Sequence, residues 1–230
     1  MEDKKVYTTF SLISSHTEVD NVRTFVFERN YLDWVPGQAQ AYVLPEAGET
    51  EEENQRWFTI SSAPVENTIN ISTRISSSAF KQTLNALKPG EQIRAHSLGG
   101  PFTWEAEDNN PVILVAAGIG ITPFRSILLQ RKALGKSLDA TLLYFNRTNE
   151  IPFQKELEEI GEEHPGLQIK IIVDQPITAE KILELVPGDH KETFYLSGPE
   201  PLVNSVGDAL KELGVAIKKD QFPGYDDSNF

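Results

Sequence analysis

The 230-residue chain carries 34 acidic against 21 basic residues, a formal charge of −13. The excess is even, with 15 acids against 9 bases through Glu107 and 19 against 12 beyond it, so neither half offers the basic surface that nucleic acid requires. The absence of cysteine excludes a disulfide framework, a cysteine-ligated iron–sulfur cluster and a thiol nucleophile, and His16, His96, His164 and His190 are too scattered to read as a metal site.

In chain order, the first half reads as β-structure. Residues 5–14 and 22–28 are β-branched and aromatic with partial alternation, and predict antiparallel strands joined by a polar turn. Pro36-Gly37 marks a turn before a strand at 38–44, and the glutamate-rich stretch 46–54 is expected to be a solvated loop. Further strands are predicted at 56–60, 68–75 and 92–98, with a short helix over 79–87 closed by Lys88-Pro89-Gly90. Six short antiparallel strands and one helix predict a small Greek-key β-barrel.

From Pro111 the period changes. Apolar strands at 112–117, 139–145, 167–173 and 192–197 alternate with helical patterns at 122–134, 151–163, 178–185 and 200–213, and a last strand covers 216–222. That alternation predicts an α/β domain with a parallel sheet covered on both faces. The acidic turn at 105–110 is the expected boundary, which divides the chain into domains 1–107 and 108–230. Met1 is followed by Glu-Asp-Lys-Lys, and no run approaches about 18 apolar residues. A cytoplasmic protein without an integral membrane segment is therefore expected.

Several segments carry chemistry. The strand Val112–Ala117 runs into Gly118-Ile119-Gly120-Ile121-Thr122-Pro123, the arrangement by which a chain presents backbone N–H groups to a pyrophosphate. Glycine permits the tight turn, Thr122 is expected to cap the following helix and Pro123 to occupy its first turn. The turn is shorter than the G-x-G-x-x-G fingerprint, because residue 123 is proline. A second glycine turn, Ser197-Gly198-Pro199, follows another apolar strand; Glu200 after it either shuttles a proton or sits where first-turn acids are favoured. Arg56-Trp57-Phe58-Thr59 puts Arg56 and Phe58 on one side of a strand and Trp57 and Thr59 on the other. The serines before Phe80 are helix caps first, yet the same helix start, with Lys81 and Thr83, can hold phosphates. Arg147, after the second parallel strand, lies where an adenosine belongs and can meet a 2′-phosphate, a ribose or solvent.

Taken together and in this order, the Arg-x-aromatic-Thr string, the Gly118–Pro123 turn and the late Ser-Gly-Pro resemble the plant-type branch of the ferredoxin–NADP reductase superfamily over nearly the whole chain. The resemblance implies FAD and NAD(P)H as cofactors. It implies that FAD is held by residues 56–59 (Arg56, Trp57, Phe58, Thr59), by Thr73, Arg74 and Ile75, and by Ser78, Phe80, Lys81, Gln82 and Thr83. Arg56 would meet the pyrophosphate, Phe58 would stand where the family's tyrosine stacks on the flavin, and Thr59 where its serine approaches N5. Gly118, Gly120, Ile121, Thr122, Pro123, Gly198 and Pro199 would face the nicotinamide nucleotide. Ser197 replaces the family's usual cysteine beside the reacting atoms, so Thr59 and Ser197 are the expected catalytic pair. Tyr225, turned back by Pro223-Gly224, or the terminal Phe230 would cover the flavin face.

The implied activity is hydride transfer from NAD(P)H to FAD. Electrons then pass to a separate acceptor: ferredoxin, flavodoxin, a partner enzyme, or a diffusible flavin or iron chelate. The alternative is an FAD-binding relay or structural subunit of a larger redox complex with little NAD(P)H oxidation of its own.

Overall fold

The computed structural model describes residues 6–105 and 110–222. Six antiparallel strands form the first sheet: β1 (Thr8–Val19), β2 (Val22–Glu28), β3 (Ala39–Val43), β4 (Gln55–Thr59), β5 (Thr68–Arg74) and β6 (Gln92–Gly99). Their order is β4-β3-β6-β1-β2-β5. The sheet curls until its two edges meet, where Ser61 N–H donates to Asn70 O at 2.9 Å. Phe10, Phe25, Phe27, Tyr42, Ile69, Ile71 and Ile93 fill the interior. Two short helices accompany the barrel, α1 (Glu51–Asn54) and α2 (Ala79–Ala86). The latter buries Phe80 and Leu84 in the barrel core.

Two local expectations need correction. The first strand spans 8–19 rather than 5–14, because Asp20 adopts a left-handed φ of 41° and lets Val19 pair directly with Val22. The stretch 46–54 is not a plain solvated loop. It holds a 3₁₀ turn at Pro45–Ala47, with Ala47 buried, and then α1. The glutamate composition misled because Glu53 folds back, its Oε2 accepting from Thr50 N–H at 3.1 Å and Thr50 Oγ1 at 3.0 Å.

The second sheet is parallel throughout, in the order β11-β10-β7-β8-β9. Its strands are β7 (Val112–Ala117), β8 (Ala140–Asn146), β9 (Leu167–Val173), β10 (Thr193–Pro199) and β11 (Ala216–Phe222). Helices α3 (Thr122–Ala133) and α4 (Gln154–Glu163) contribute to the apolar core on one face, and α5 (Ala179–Leu185) and α6 (Glu200–Glu212) to that on the other. The strand order reverses at β7, so the turn leaving β7 and the carboxyl end of β10 lie side by side at the carboxyl edge of the sheet. That is where an open α/β sheet binds its ligand. Among the described residues, no helix is long and apolar enough to cross a membrane.

The two sheets are tied together by polar contacts. Arg125 of α3, 10% exposed, donates to Ser61 O at 2.8 Å and pairs with Glu66 at 2.9 Å and Glu156 at 2.6 Å. Ser126 Oγ donates to Ser62 O at 2.6 Å. A buried cation with two carboxylates is costly to disrupt, so this clamp fixes one geometry between the halves. Phe102 and Trp104 already pack into the parallel-sheet core. The expected boundary at 107/108 falls within residues 106–109, outside the described residues.

Candidate active site between the two sheets

The β7 turn is a 3₁₀ segment, Gly118–Ile121, that runs straight into α3. Gly118 has a φ of +54°, which glycine adopts without strain. Gly120 is required by proximity: a Cβ there would lie 2.2 Å from Ser197 O and 2.8 Å from Gly198 N. Its missing side chain therefore makes room for the backbone of Ser197-Gly198-Pro199. That segment is not the turn expected after a strand but the carboxyl end of β10 itself, paired with Asp220, Gln221 and Phe222 of β11. Thr122 is not the N-cap that its residue type suggested. It is already helical, and its Oγ1 donates back to Ile119 O at 3.2 Å. The 3₁₀ turn supplies the helix with a preceding hydrogen-bonded turn, so no side-chain cap is needed. Pro123 lies in the first turn as expected.

That close approach sets Ser197, fully buried, behind the wall of the cleft between the sheets, which it meets through Asp220. The cleft is lined by Trp57, Phe58 and Thr59 of β4, Ser72 and Thr73 of β5, Ile119 and Thr122 of the β7 turn, and the end of β11. Thr59 Oγ1 and Ser197 Oγ both donate to Asp220 Oδ2, each at 3.3 Å. Asp220 keeps some exposure as a residue, but its carboxyl is enclosed. Desolvation pushes its pKa from 3.8 up to about 6, against the opposing pull of the two hydroxyls. A carboxylic acid that titrates near neutrality can hold or release a proton under working conditions.

Sequence reasoning missed Asp220. The signal was nonetheless present: an acid near the carboxyl end of a parallel strand, two residues before Phe222 and adjacent to the Ser-Gly-Pro strand. Phe222 is also in the cleft wall. Tyr225 and Phe230, the expected flavin covers, lie outside the described residues.

On the barrel side, Arg56 and Phe58 do share a face. Phe58 packs on Phe80 with ring centroids 5.8 Å apart, and the Arg56 guanidinium stands 6.0 Å from the same Phe80 ring. Trp57, on the opposite face, is half exposed. Lys81 is buried, and its pKa is held down to about 8 by desolvation and by the neighbouring Arg56 and Arg74. Lys81 at the start of α2 thus feels the like charges of Arg56 on β4 and Arg74 on β5, a repulsion that a bound anion would relieve. Buried polar atoms at this start also lack a partner: Ser78 Oγ and Arg74 Nε. Ser78 occupies the N-cap position without making the expected side-chain cap bond. A diphosphate fits this donor set, since it needs cations, a free hydroxyl and helix N–H groups together. Gln82 instead donates to Ser76 O at 2.5 Å, and Thr83 is partly buried one position further along.

At the carboxyl ends of β8 and β9, Arg147 lines a separate cavity of about 440 Å³ with Asn146, Asp174 and Gln175. Glu200 opens α6 as a first-turn acid, with Pro199 at the N-cap.

Comparison with known proteins follows this division. The oxidoreductase NAD-binding domain family matches residues 114–208. The reductase subunit of stachydrine N-demethylase from Rhizobium meliloti is 27% identical over 221 residues, covering 88% of this chain and 62% of that protein. Ferredoxin–NADP reductase B from Sorangium cellulosum is 28% identical over 223 residues, covering 89% and 87%. The chain spans between 36% and 62% of the length of the first four curated relatives it matches. Among solved structures, a cytochrome P450 reductase from Amycolatopsis aligns with a TM-score of 0.79 at 18% identity, covering 95% of this chain and 71% of that one. A ferredoxin–NADP⁺ reductase from Neisseria gonorrhoeae, solved with FAD and NADP, aligns with a TM-score of 0.77 at 16% identity, covering 95% and 99%.

Proposed function

The chain belongs to the ferredoxin–NADP reductase-like superfamily, and from that premise we propose that it is an NAD(P)H-dependent flavoprotein reductase. The barrel, residues 1–107, would hold FAD, and the parallel-sheet domain, 108–230, NAD(P)H. The observation that carries this reading is the meeting of Thr59 from the barrel and Ser197 from the parallel sheet on one enclosed carboxylate, Asp220.

When bound, FAD supplies the exchange between two-electron and one-electron chemistry. The protein's part is placement and charge. We assign Arg56, Arg74, Lys81 and Ser78 to the diphosphate, with the N–H groups at the start of α2 and neighbouring Gln82 and Thr83. Phe58, supported by Phe80, and Trp57 would pack against a bound flavin ring, and Thr73 and Ile75 would offer it backbone groups. The Gly118–Pro123 turn and the Ser197–Pro199 strand end approach the nicotinamide nucleotide, and Arg147 with Asp174 its adenosine end. Thr59 and Ser197 are the catalytic pair at the reacting atoms. Asp220 accepts from both hydroxyls at Oδ2 and can take up or release a proton at its carboxyl group.

The electron acceptor is a separate component: a ferredoxin, a flavodoxin, a partner enzyme, or a diffusible flavin or iron chelate. Relatives described as reductase subunits of a demethylase and of a glycine betaine monooxygenase support a partner enzyme. A cytoplasmic location is part of the same reading. Purified protein loaded with FAD and titrated anaerobically with NADH or NADPH should lose its flavin absorbance. Persistence of the oxidised spectrum with both nucleotides would overturn the reductase reading in favour of a passive subunit. Arg56→Ala should weaken FAD retention by about 2–3 kcal/mol, the loss expected of a charge-assisted phosphate contact. Equilibrium dialysis of wild type and variant checks this, and equal affinities would remove Arg56 from the cradle.

A further inference from the structure

A line of side-chain hydroxyls crosses the barrel wall from the cleft to a different surface. Ser61 Oγ and Ser72 Oγ lie 2.7 Å apart, and Ser72 Oγ and Thr24 Oγ1 also 2.7 Å. Thr24 Oγ1 donates to Glu18 Oε1 at 2.7 Å, and the same oxygen lies 2.8 Å from His16 Nε2. The strand register builds this line. Thr24 is the direct partner of Ser72 across β2 and β5, and of His16 across β1 and β2. Ser61, Ser72 and Thr24 are 1%, 5% and 3% exposed, so water does not break the line in its middle.

Its two ends open on different spaces. Ser72 is in the wall of the cleft that also holds Thr59 and Asp220. Glu18 and His16 line a cavity of about 620 Å³ beside α4, whose other charged groups include Arg125, Lys155, Glu156, Glu158 and Glu159. The His16 side chain is 55% exposed. The two bonds between hydroxyls can run in either direction, which is what proton passage along hydroxyls requires.

We propose that Glu18, Thr24 and Ser72 form a proton relay between the His16 cavity and the cleft. The proposal rests on reading the cleft as a flavin site. A hydride brings two electrons and one proton and leaves a reduced flavin one proton short of its neutral form, so that form takes one further proton from solvent. In the relay, a proton held by His16 or Glu18 passes to Thr24 Oγ1, which releases its own to Ser72 Oγ. Ser72 in turn releases its own to a water molecule in the cleft, from which the reduced flavin would take it. Each hydroxyl oxygen gains one proton and loses one, and rotation about the C–O bonds resets the line. Thr24 and Glu18 touch no reacting atom, so they act as positioning and conducting residues.

The test uses the flavin-loaded protein, mixed anaerobically with NADH or NADPH in weak buffer with a pH indicator. Proton uptake in wild type should keep pace with loss of flavin absorbance. Thr24→Val, which keeps shape but removes the hydroxyl, should slow uptake about tenfold or more, and Thr24→Ser should restore it. Glu18→Gln, at a more accessible position, should slow uptake similarly and serves if Thr24→Val does not fold. Uptake at the wild-type rate in these variants overturns the relay. In cofactor-free protein, titration of His16 and Glu18 should move the NMR resonances of Ser72 in wild type and Thr24→Ser but not in Thr24→Val. Ser72 resonances that ignore this titration also overturn it, whereas failure of both nucleotides to reduce added flavin overturns the flavin reading alone.

Discussion

Asp220→Asn is expected to slow flavin reduction by NAD(P)H on the order of 10²-fold. A neutral amide oxygen replaces the carboxylate that Thr59 and Ser197 donate to, and it can neither take up nor release a proton. The same change should make the protein more stable at neutral pH. The Asp220 carboxyl has a pKa raised from 3.8 to about 6 in the folded chain. Between those values the folded state binds the proton and the unfolded state releases it, so stability falls as pH rises through this window. By pH 7 the enclosed charge costs about 3 kcal/mol, which asparagine avoids. Urea denaturation of both proteins from pH 4 to 8, with stopped-flow reduction at pH 7, measures the two effects. Parallel stability profiles would show that the carboxyl is solvated. Undiminished reduction would remove Asp220 from the active site.

Gly120→Ala should be the most damaging single methyl in the chain's second half. The new Cβ would meet Ser197 O at 2.2 Å and Ser197 C at 2.6 Å, both backbone atoms. Strand β10 is held by ladders to β7 and β11 and has little room to retreat. A cost of about 3 kcal/mol is expected, with Ser197 pushed from Asp220 and reduction slowed as well. Gly99→Ala is the control, since no atom lies within 4 Å of a Cβ there, and it should fall within about 0.5 kcal/mol of wild type. Thermal melts of both variants decide the matter. Equal melting temperatures would mean that the β7 turn can move away from β10.

Much of this molecule was legible in one dimension. The strands and helices of the second half follow from apolar runs alternating with helical periodicity, and lie within three residues of expectation at each end. Such patterns record burial on two faces of a sheet, which each segment satisfies through its own residues. The barrel strands were legible for the same reason, while β1 and α1 were not. Their limits depend on a left-handed Asp20 and on Glu53 reaching back to Thr50, which are contacts rather than compositions.

For the site, the sequence by itself determined the candidate residues: Arg56, Phe58 and Thr59 on one strand, and two glycine-bearing segments at the ends of two others. Only the tertiary structure decided what those residues do to one another. Gly120 proved to be space for the backbone at Ser197, and Lys81 proved to be a buried cation beside Arg56 and Arg74. Thr59 and Ser197, 138 positions apart, became partners through Asp220, an acid near a strand end whose role only the packing shows. The physical reason is range. Periodicity and turn chemistry act over a few residues, whereas desolvation and charge depend on whatever the fold packs alongside, and Asp220 gets its raised pKa entirely from that enclosure.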